Sequence, residues 1–369
     1  MIMSIDPFLL AGAFGINTED IHQPILPVDI RRKLHEIGWT EIHYSGLSKG
    51  SFCGYQLYLN ILARQQDYQA IVGKRKISAF ALVGSVAHLA FEDYENTCEV
   101  QADGSTVLGL DPWYWQQLFN IVIASNKATT IYTWDDCEVS PSLIEMWSQR
   151  LANRNTYGIT LVEIFRKLKR PLIESGWEFV ESEAVLNYVD GEGMDYPIVF
   201  RGTVDLIAAF RGMLFLFDLK SFGMWRILFA CKGSPKSFSI GAEEMQYVRQ
   251  LRHYDWLYWK INGRRVDNVG YILPSNMIPY KRSGKTYEKG ADRGQPMASA
   301  PVLDMKQMLA YERDMVRQIT AWTRNGFVRH YPEVYGKVYC VDCPFFDACL
   351  RDPRSAVTAK MDAYLEQYR

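Results

Sequence analysis

The 369-residue sequence predicts an α/β protein with a central mixed sheet flanked by helices. Three strand-like segments follow one another at 178–189, 198–210 and 213–222, and the Arg-Gly pair at 211–212 predicts a tight hairpin between the last two. Helical periodicity lies on both sides of these strands, including a long amphipathic stretch at 242–261. Strands bracketed by helices along the chain are typical of an α/β core.

The first half of the chain is predicted to be mainly helical. Residues 1–43 are expected to form an N-terminal arm with one short helix, and 44–104 to contain helices at 52–66 and 81–97. Residues 105–178 are rich in Trp and Tyr and mostly helical in period. We therefore expect a helical insertion there, between the first helices and the strands.

The second half continues the core from 179 to about 330. A buried strand is predicted at 268–274, a long polar loop rich in Gly and Lys at 275–300, and a helix at 302–325. Loops of that length are uncommon unless they are functional or mobile. Residues 331–369 form a cysteine-containing segment and a short polar tail.

Composition narrows the class of protein. Hydrophobic residues make up 48% of the chain and aromatic residues 14%, which excludes wholesale disorder. The net charge of −1 provides no global basic field, so nucleic-acid binding would need a local basic groove. The apolar run after Asp6 is a poor signal peptide, and no run approaches the length of a membrane span. We expect a soluble cytoplasmic protein that does not insert into membranes.

Two carboxylates and an ammonium occur near the ends of the predicted hairpin strands. Asp218 and Lys220 are two residues apart and share a face, and strand pairing at about 5 Å could place Asp205 opposite them. Converging carboxylates repel unless a divalent cation neutralises them, and oxygen ligands suit Mg²⁺ or Mn²⁺. A neighbouring lysine can orient or deprotonate a water, or stabilise developing charge. The alternative for these residues is a strand-end salt bridge.

The pattern Gly202-x-x-Asp205 followed by Asp218-x-Lys220 resembles the core motif of PD-(D/E)XK nucleases. In detail it is similar to the RecB-like branch, which includes the CRISPR-associated RecB-like exonucleases and exonuclease V. The resemblance implies a restriction-endonuclease-like sheet, with 179–330 as the nuclease core. It also implies that Asp205, Asp218 and Lys220 form the active site.

Further motifs fit the same branch. Gly84 and His88 match its GxxxH motif, whose His is a metal ligand, so the resemblance implies that His88 joins Asp205 and Asp218 in binding Mg²⁺ or Mn²⁺. Gln250 and Tyr254 match the QxxxY motif, which contacts substrate, and lie on one helix face. Taken singly, a His on an amphipathic helix is more often a packing residue, and Gln and Tyr are common on helices.

A Glu at the start of the strand before the hairpin completes the family pattern. Glu183 is our choice and Glu181 the rival, because both are expected on the same face of that strand.

Three cysteines are spaced C-x₂-C-x₅-C at Cys340, Cys343 and Cys349. A tetrahedral thiolate site needs a fourth ligand, and spacing alone does not choose between zinc and an iron–sulfur cluster. In RecB-like nucleases of this pattern one Cys precedes the GxxxH helix, a position that Cys53 matches. The resemblance thus implies a 4Fe–4S cluster in the 331–369 segment, with Zn²⁺ as the alternative occupant.

The resemblance implies an exonuclease that acts on DNA ends, often single-stranded, in recombination, repair or processing. Lys281, Arg282 and Lys285 in the polar loop could contact phosphates. No Walker motif is present, so any ATPase would belong to a recombination or helicase partner protein. A non-catalytic DNA-binding or assembly module that keeps the fold and cluster is the alternative, and a zinc-stabilised scaffold is a third interpretation.

Overall fold

The structure is a computed structural model of the chain. It describes residues 23–65, 76–78, 85, 88–89, 98–100, 106–108, 117, 120–121, 130–132, 172–220, 242–272, 280–282, 285–287, 297–300, 302–327, 343, 345 and 348–349.

Five helices and twelve strands have bounds within these residues. The helices are α1 (Val28–Glu36), α2 (Tyr44–Phe52), α3 (Gly54–Gln65), α4 (Ala242–Asn262) and α5 (Met305–Asn325). The strands are β1 (Glu41–His43), β2 (Lys76–Ser78), β3 (Cys98–Val100), β4 (Thr106–Leu108), β5 (Thr130–Tyr132), β6 (Trp177–Asp190), β7 (Ile198–Phe210), β8 (Met213–Leu219), β9 (Asn268–Ile272), β10 (Tyr280–Arg282), β11 (Lys285–Tyr287) and β12 (Met297–Ala300).

The central sheet has six strands and is mixed. Its order is β1-β7-β8-β9-β12, and β6 pairs along the length of β7. The pairs β1–β7 and β8–β9 are parallel, and the pairs β6–β7, β7–β8 and β9–β12 are antiparallel. The predicted α/β class with a mixed sheet flanked by helices is confirmed at this level.

The predicted hairpin between β7 and β8 is also confirmed. Its register pairs Phe210 with Met213, which leaves Arg211 and Gly212 as a two-residue loop. Both loop residues have positive φ, 50° and 79°, as the twist-compatible hairpin turns require. The tight turn sets the register of the hairpin, and residues 213–217 of β8 each have a defined partner on β7.

Helix α4 packs on the sheet with its apolar face, and α5 packs against α4 and α1. Trp256 and Leu257 of α4 are fully buried, as is Ile319 of α5. The long amphipathic helix predicted at 242–261 is thus found within one residue of its expected bounds. A capping box, in which Asp304 and Gln307 satisfy each other's backbone N–H, begins α5.

The N-terminal segment is part of the core where the structure describes it. Ile30 and Leu34 of α1 are fully buried. Arg31 forms a buried ion pair with Asp190 at the end of β6, with 3.4 Å between Nη1 and Oδ2. The backbone N–H of Ile25 also donates to Asp190 Oδ1. The arm expected at 1–43 therefore contributes a helix, a strand and a buried ion pair to the core from residue 25 onward.

Several local predictions differ from the structure. The loop expected at 275–300 contains the β10–β11 hairpin and strand β12, which pairs with β9. The stretch expected to be helical at 105–178 contains β4 and β5, and the rest of it up to residue 171 is almost entirely outside the described residues. The helix expected at 52–66 begins at Gly54, because Cys53 is extended and separates it from α2. Of the helix expected at 81–97, residues 85 and 88–89 are described and helical.

No helix in the described part of the chain is long and apolar enough to cross a membrane.

Candidate active site

The hairpin brings the two predicted aspartates together. Leu206 pairs with Phe217, so continuing the register by one residue places Asp205 opposite Asp218. Asp205 Oδ2 accepts a hydrogen bond from the backbone N–H of Leu219 at 2.5 Å. Lys220 Nζ lies 2.5 Å from Asp218 Oδ2. The three residues thus form one connected cluster at the end of β8.

His88 and Glu183 join this cluster from distant parts of the chain. Ligand atoms of His88, Glu183 and Asp205 all lie within 4.8 Å of one another. The distance from His88 Nδ1 to Asp205 Oδ1 is 3.6 Å. Cross-strand pairing on either side, Ser182 with Leu206 and Ala184 with Val204, places Glu183 opposite Asp205.

Glu183 has left-handed backbone geometry inside β6. Its φ is 50°, which is unfavourable for a residue with a Cβ and costs about 1–3 kcal/mol. Two residues earlier, between Phe179 and Glu181, the register with β7 shifts. The irregular strand turns Glu183 toward His88 and Asp205, whereas the rival Glu181 is exposed. Alternation along a regular strand would have put both glutamates on one face, and the left-handed residue separates them.

Burial and neighbouring carboxylates together set the electrostatics of the cluster. Burial raises the pKa of Asp205 well above its usual range, and the negative charges of Asp218 and Glu183 raise it further. The ammonium of Lys220 and the N–H of Leu219 act in the opposite direction. Burial lowers the pKa of His88, although the carboxylate of Asp218 favours its protonation, so its ring is neutral and retains a lone pair.

Lys220 is held as a cation. Burial alone would lower the pKa of Lys220, but the carboxylates of Asp218 and Asp205 outweigh it and raise that pKa. The ammonium also lies 5.3 Å from the centre of the Tyr247 ring, within range of a cation–π interaction. Sequence reasoning missed Tyr247. Tyr247 lies one turn before Gln250 on the same helix, a spacing that indicates that both residues share one helix face.

The Gln250–Tyr254 pair is formed as their spacing predicts. Gln250 Nε2 donates to Tyr254 Oη at 2.6 Å. Burial raises the pKa of Tyr254, and the carboxylate of Asp218 raises it further, which shows that the phenol lies within electrostatic reach of the cluster. Gly202 of β7 allows this approach, because a Cβ there would lie 2.9 Å from Tyr254 Cε1.

The donor set of the cluster fits a divalent cation. Carboxylate oxygens and a neutral imidazole nitrogen are ligands that Mg²⁺ and Mn²⁺ accept, and manganese tolerates nitrogen better. A cation would also relieve the mutual repulsion of Asp205, Asp218 and Glu183. Among the described residues, this is the single group of three His, Cys, Asp or Glu side chains with ligand atoms this close.

Three of the four predicted cluster cysteines are described, and they do not form a group whose ligand atoms all lie within 4.8 Å of one another. Cys53, Cys343 and Cys349 pack against one small apolar cluster that includes Tyr55 and Phe345. None of the three forms a disulfide. Cys340 lies outside the described residues. The contact joins the start of α3 to a segment almost three hundred residues later.

Comparisons with known proteins leave the family open. No family model matches the chain, and no curated protein matches it. A solved structure described as "Crystal structure of SSO0001" matches 76% of this chain and 87% of its own at 12% sequence identity, with a TM-score of 0.25. A similarity at that level carries no argument about fold family or function.

Proposed function

We propose that the chain is a metal-dependent DNA exonuclease of the PD-(D/E)XK type, in the RecB-like branch, with a restriction-endonuclease-like core. One observation carries the proposal: His88, Glu183, Asp205 and the Asp218–Lys220 pair converge from four separate segments of the chain. A strand-end salt bridge explains Asp218 and Lys220 alone, but it does not explain why a histidine and two further carboxylates join them.

His88, Glu183, Asp205 and Asp218 are the residues that would hold Mg²⁺ or Mn²⁺. A bound ion would supply a nucleophilic water and electrostatic stabilisation of the phosphate. The chain's own contribution is to hold these ligands in place before the ion binds. The β7–β8 register and the N–H of Leu219 fix Asp205, while the left-handed residue in β6 aims Glu183.

Lys220 acts as a fixed positive charge. Its ion pair with Asp218 keeps the ammonium at the end of β8, where it donates to a phosphoryl oxygen and stabilises the charge that develops there. The ring of Tyr247 limits the positions the ammonium can take. Gln250 and Tyr254 orient each other and present an amide and a phenol to the substrate.

Single-stranded DNA ends are the proposed substrate, and this step rests on the family resemblance. A roof formed by elements around 105–178 and the basic loop at Lys281, Arg282 and Lys285 would admit a single strand more readily than a duplex. The backbone of that loop is a hairpin at β10–β11. Three cations within five residues of sequence are the basis for proposing that this hairpin contacts phosphates.

Digestion of end-labelled oligonucleotides tests the proposal. Linear strands labelled at the 5′ or the 3′ end, a circular single strand and a closed circular duplex are incubated with Mg²⁺ or Mn²⁺. We expect the linear strands alone to be degraded. The Asp218→Asn and Lys220→Met variants should each lose at least about a hundredfold in rate. Asp195→Asn and Lys306→Met are matched controls, because both side chains are exposed and outside the cluster.

The outcomes separate this proposal from its rivals. Rapid cutting of the circular strand would identify an endonuclease and refute the end-dependent part. Binding of DNA without degradation by the metal-loaded wild type would favour the non-catalytic DNA-binding module. Equal rates for wild type and Asp218→Asn would reject the active-site assignment.

We further propose that Cys53, Cys340, Cys343 and Cys349 hold a 4Fe–4S cluster, with Zn²⁺ as the alternative occupant. The packing of Cys53, Cys343 and Cys349 against one apolar cluster, together with the family resemblance, motivates this proposal. Linking segments so far apart in sequence restricts the unfolded chain, so the centre stabilises the fold.

A further inference from the structure

A cavity lies between α2, α4 and α5, with a volume of about 820 Å³. Its polar lining combines three arginines with hydroxyl and amide groups and one carboxylate. Arg249 and Arg252 come from α4 and Arg317 from α5, while Tyr44 and Ser48 come from α2. Its volume falls in the range of pockets that bind small molecules such as nucleotides.

Two of the arginines have no counter-charge in the described part of the chain. Arg249 and Arg252 are one turn apart on α4, and neither is in an ion pair there. The Nε of Arg252 is buried and has no hydrogen-bond partner among the described residues. Arg317 differs, because it pairs with Asp314 at 2.9 Å and both side chains are exposed. Asp314 is the only acidic residue lining the described cavity.

Packing two unpaired guanidinium groups close together has a cost. Burial lowers the pKa of Arg252, and the positive charge of Arg249 lowers it further. A buried donor without an acceptor loses the hydrogen bonds that it would make to water. A bound anion would remove both penalties at once, because it supplies acceptor oxygens and negative charge.

We propose that this cavity binds a phosphate ester of nucleotide size. Guanidinium groups match phosphate oxygens with paired hydrogen bonds, which favours phosphate over a simple halide. The hydroxyl of Tyr44 is hydrogen-bonded to Ser48 and lies at the same cavity wall, where it adds a donor to the ligand. The ligand is either a free nucleotide or a phosphate of a DNA strand, and the two share this chemistry.

The cavity neighbours the candidate active site, because the carboxylate of Asp218 raises the pKa of Tyr44 at the cavity wall, but its arginines lie on another face of α4. Successive residues turn about 100° around a helix, so Arg249 and Arg252 lie about 100–160° from Gln250 and Tyr254 on α4. The helix therefore presents one face to the carboxylate cluster and another face to the cavity. The proposal goes beyond nuclease activity and does not depend on it.

Equilibrium binding to the full-length protein in EDTA tests the proposal, since EDTA silences any metal-dependent cleavage. The probes are thymidine monophosphate, a twelve-residue thymidine oligonucleotide and inorganic phosphate. We expect Arg249→Gln and Arg252→Gln each to weaken binding of the nucleotide or the oligonucleotide by about tenfold or more. Arg313→Gln is the matched control, because Arg313 is exposed on α5 and does not line the cavity.

Each outcome bears on the proposal. Weaker binding of the nucleotide and the oligonucleotide indicates a free-nucleotide site, and weaker binding of the oligonucleotide alone indicates a strand-phosphate site. Either supports the proposal. Unchanged affinities for all probes in both variants would overturn it, as would an equal loss in Arg313→Gln, which would indicate a general charge effect. Arg249 is exposed, so its variant remains informative if Arg252→Gln fails to fold. If the wild type cleaves no DNA with metal, the binding result in EDTA still stands.

Discussion

Gly202→Ala tests the contact between the sheet and α4 most directly. The Cβ of an alanine at this position would lie 2.9 Å from Leu257 Cδ1 and 2.9 Å from Tyr254 Cε1. Carbon atoms pack at about 3.5–4.0 Å, so the helix or the phenol ring must move by about 0.6 Å or more. Both Leu257 and Tyr254 are buried, which leaves little free space for that movement.

The expected effect is a net loss of stability. Overpacking of this kind costs about 1–3 kcal/mol. Alanine also lowers the conformational entropy of the unfolded chain, which stabilises the fold by about 0.4–1 kcal/mol. This gain applies here because Gly202 does not have a left-handed φ, so alanine adds no backbone strain. The free energy of unfolding should therefore fall by about 1–2 kcal/mol. A shift of Tyr254 also disturbs its hydrogen bond with Gln250, so we expect DNA degradation to slow under conditions where the variant is fully folded.

Urea unfolding followed by circular dichroism measures the change. Gly46→Ala is the control. Gly46 lies in α2, and a Cβ there would lie 3.6 Å from Leu57 Cδ1 of α3, an ordinary van der Waals distance. Alanine is the better helix former, so that variant should be as stable as the wild type or more so, by up to about 1 kcal/mol. A Gly202→Ala protein as stable as the wild type would refute the close packing of α4 on β7.

Three further predictions concern burial and metal content. Burial holds the pKa of His253 at about 3, so the ring stays neutral in the folded protein while the unfolded chain takes up a proton below about pH 6.5. The free energy of unfolding of the wild type should therefore fall by about 2 kcal/mol relative to that of His253→Asn between pH 7.5 and pH 5. The same pH dependence of unfolding in both proteins would contradict this. Arg31→Met leaves Asp190 as an uncompensated buried charge and should cost about 3–5 kcal/mol, whereas Arg32→Met, at an exposed neighbour, should change urea unfolding by less than about 1 kcal/mol. Cys53→Ser should lower the iron content after anaerobic purification, and substitutions of the three cysteines outside the proposed ligand set should not; one zinc and no iron in the wild type would reject the iron–sulfur cluster.

Much of the central fold follows from local patterns in the sequence. The strands β6 and β7 and the helices α4 and α5 are long, and each repeats its own period of buried residues, whereas the shorter β8 is a continuous buried run. The Arg211–Gly212 pair specifies the hairpin turn, and the turn specifies which residues face each other across it. The opposition of Asp205 and Asp218 and the contact between Gln250 and Tyr254 follow from these elements, because they depend on one hairpin or one helix.

Other features depend on how distant segments pack. Strand β1 has three residues and β12 four, too few to show a period, and each exists because the edge of a longer neighbour offers hydrogen-bonding partners. The left-handed φ of Glu183 is likewise absent from any local signal, since glutamate does not favour it. Periodicity does not relate the residues that meet where His88 approaches Asp205, where Tyr247 approaches Lys220, and where α2 and α5 approach Arg249 and Arg252 of α4. Local periodicity reports which face of an element is buried, whereas the choice of neighbour for that face is made by packing of the whole chain.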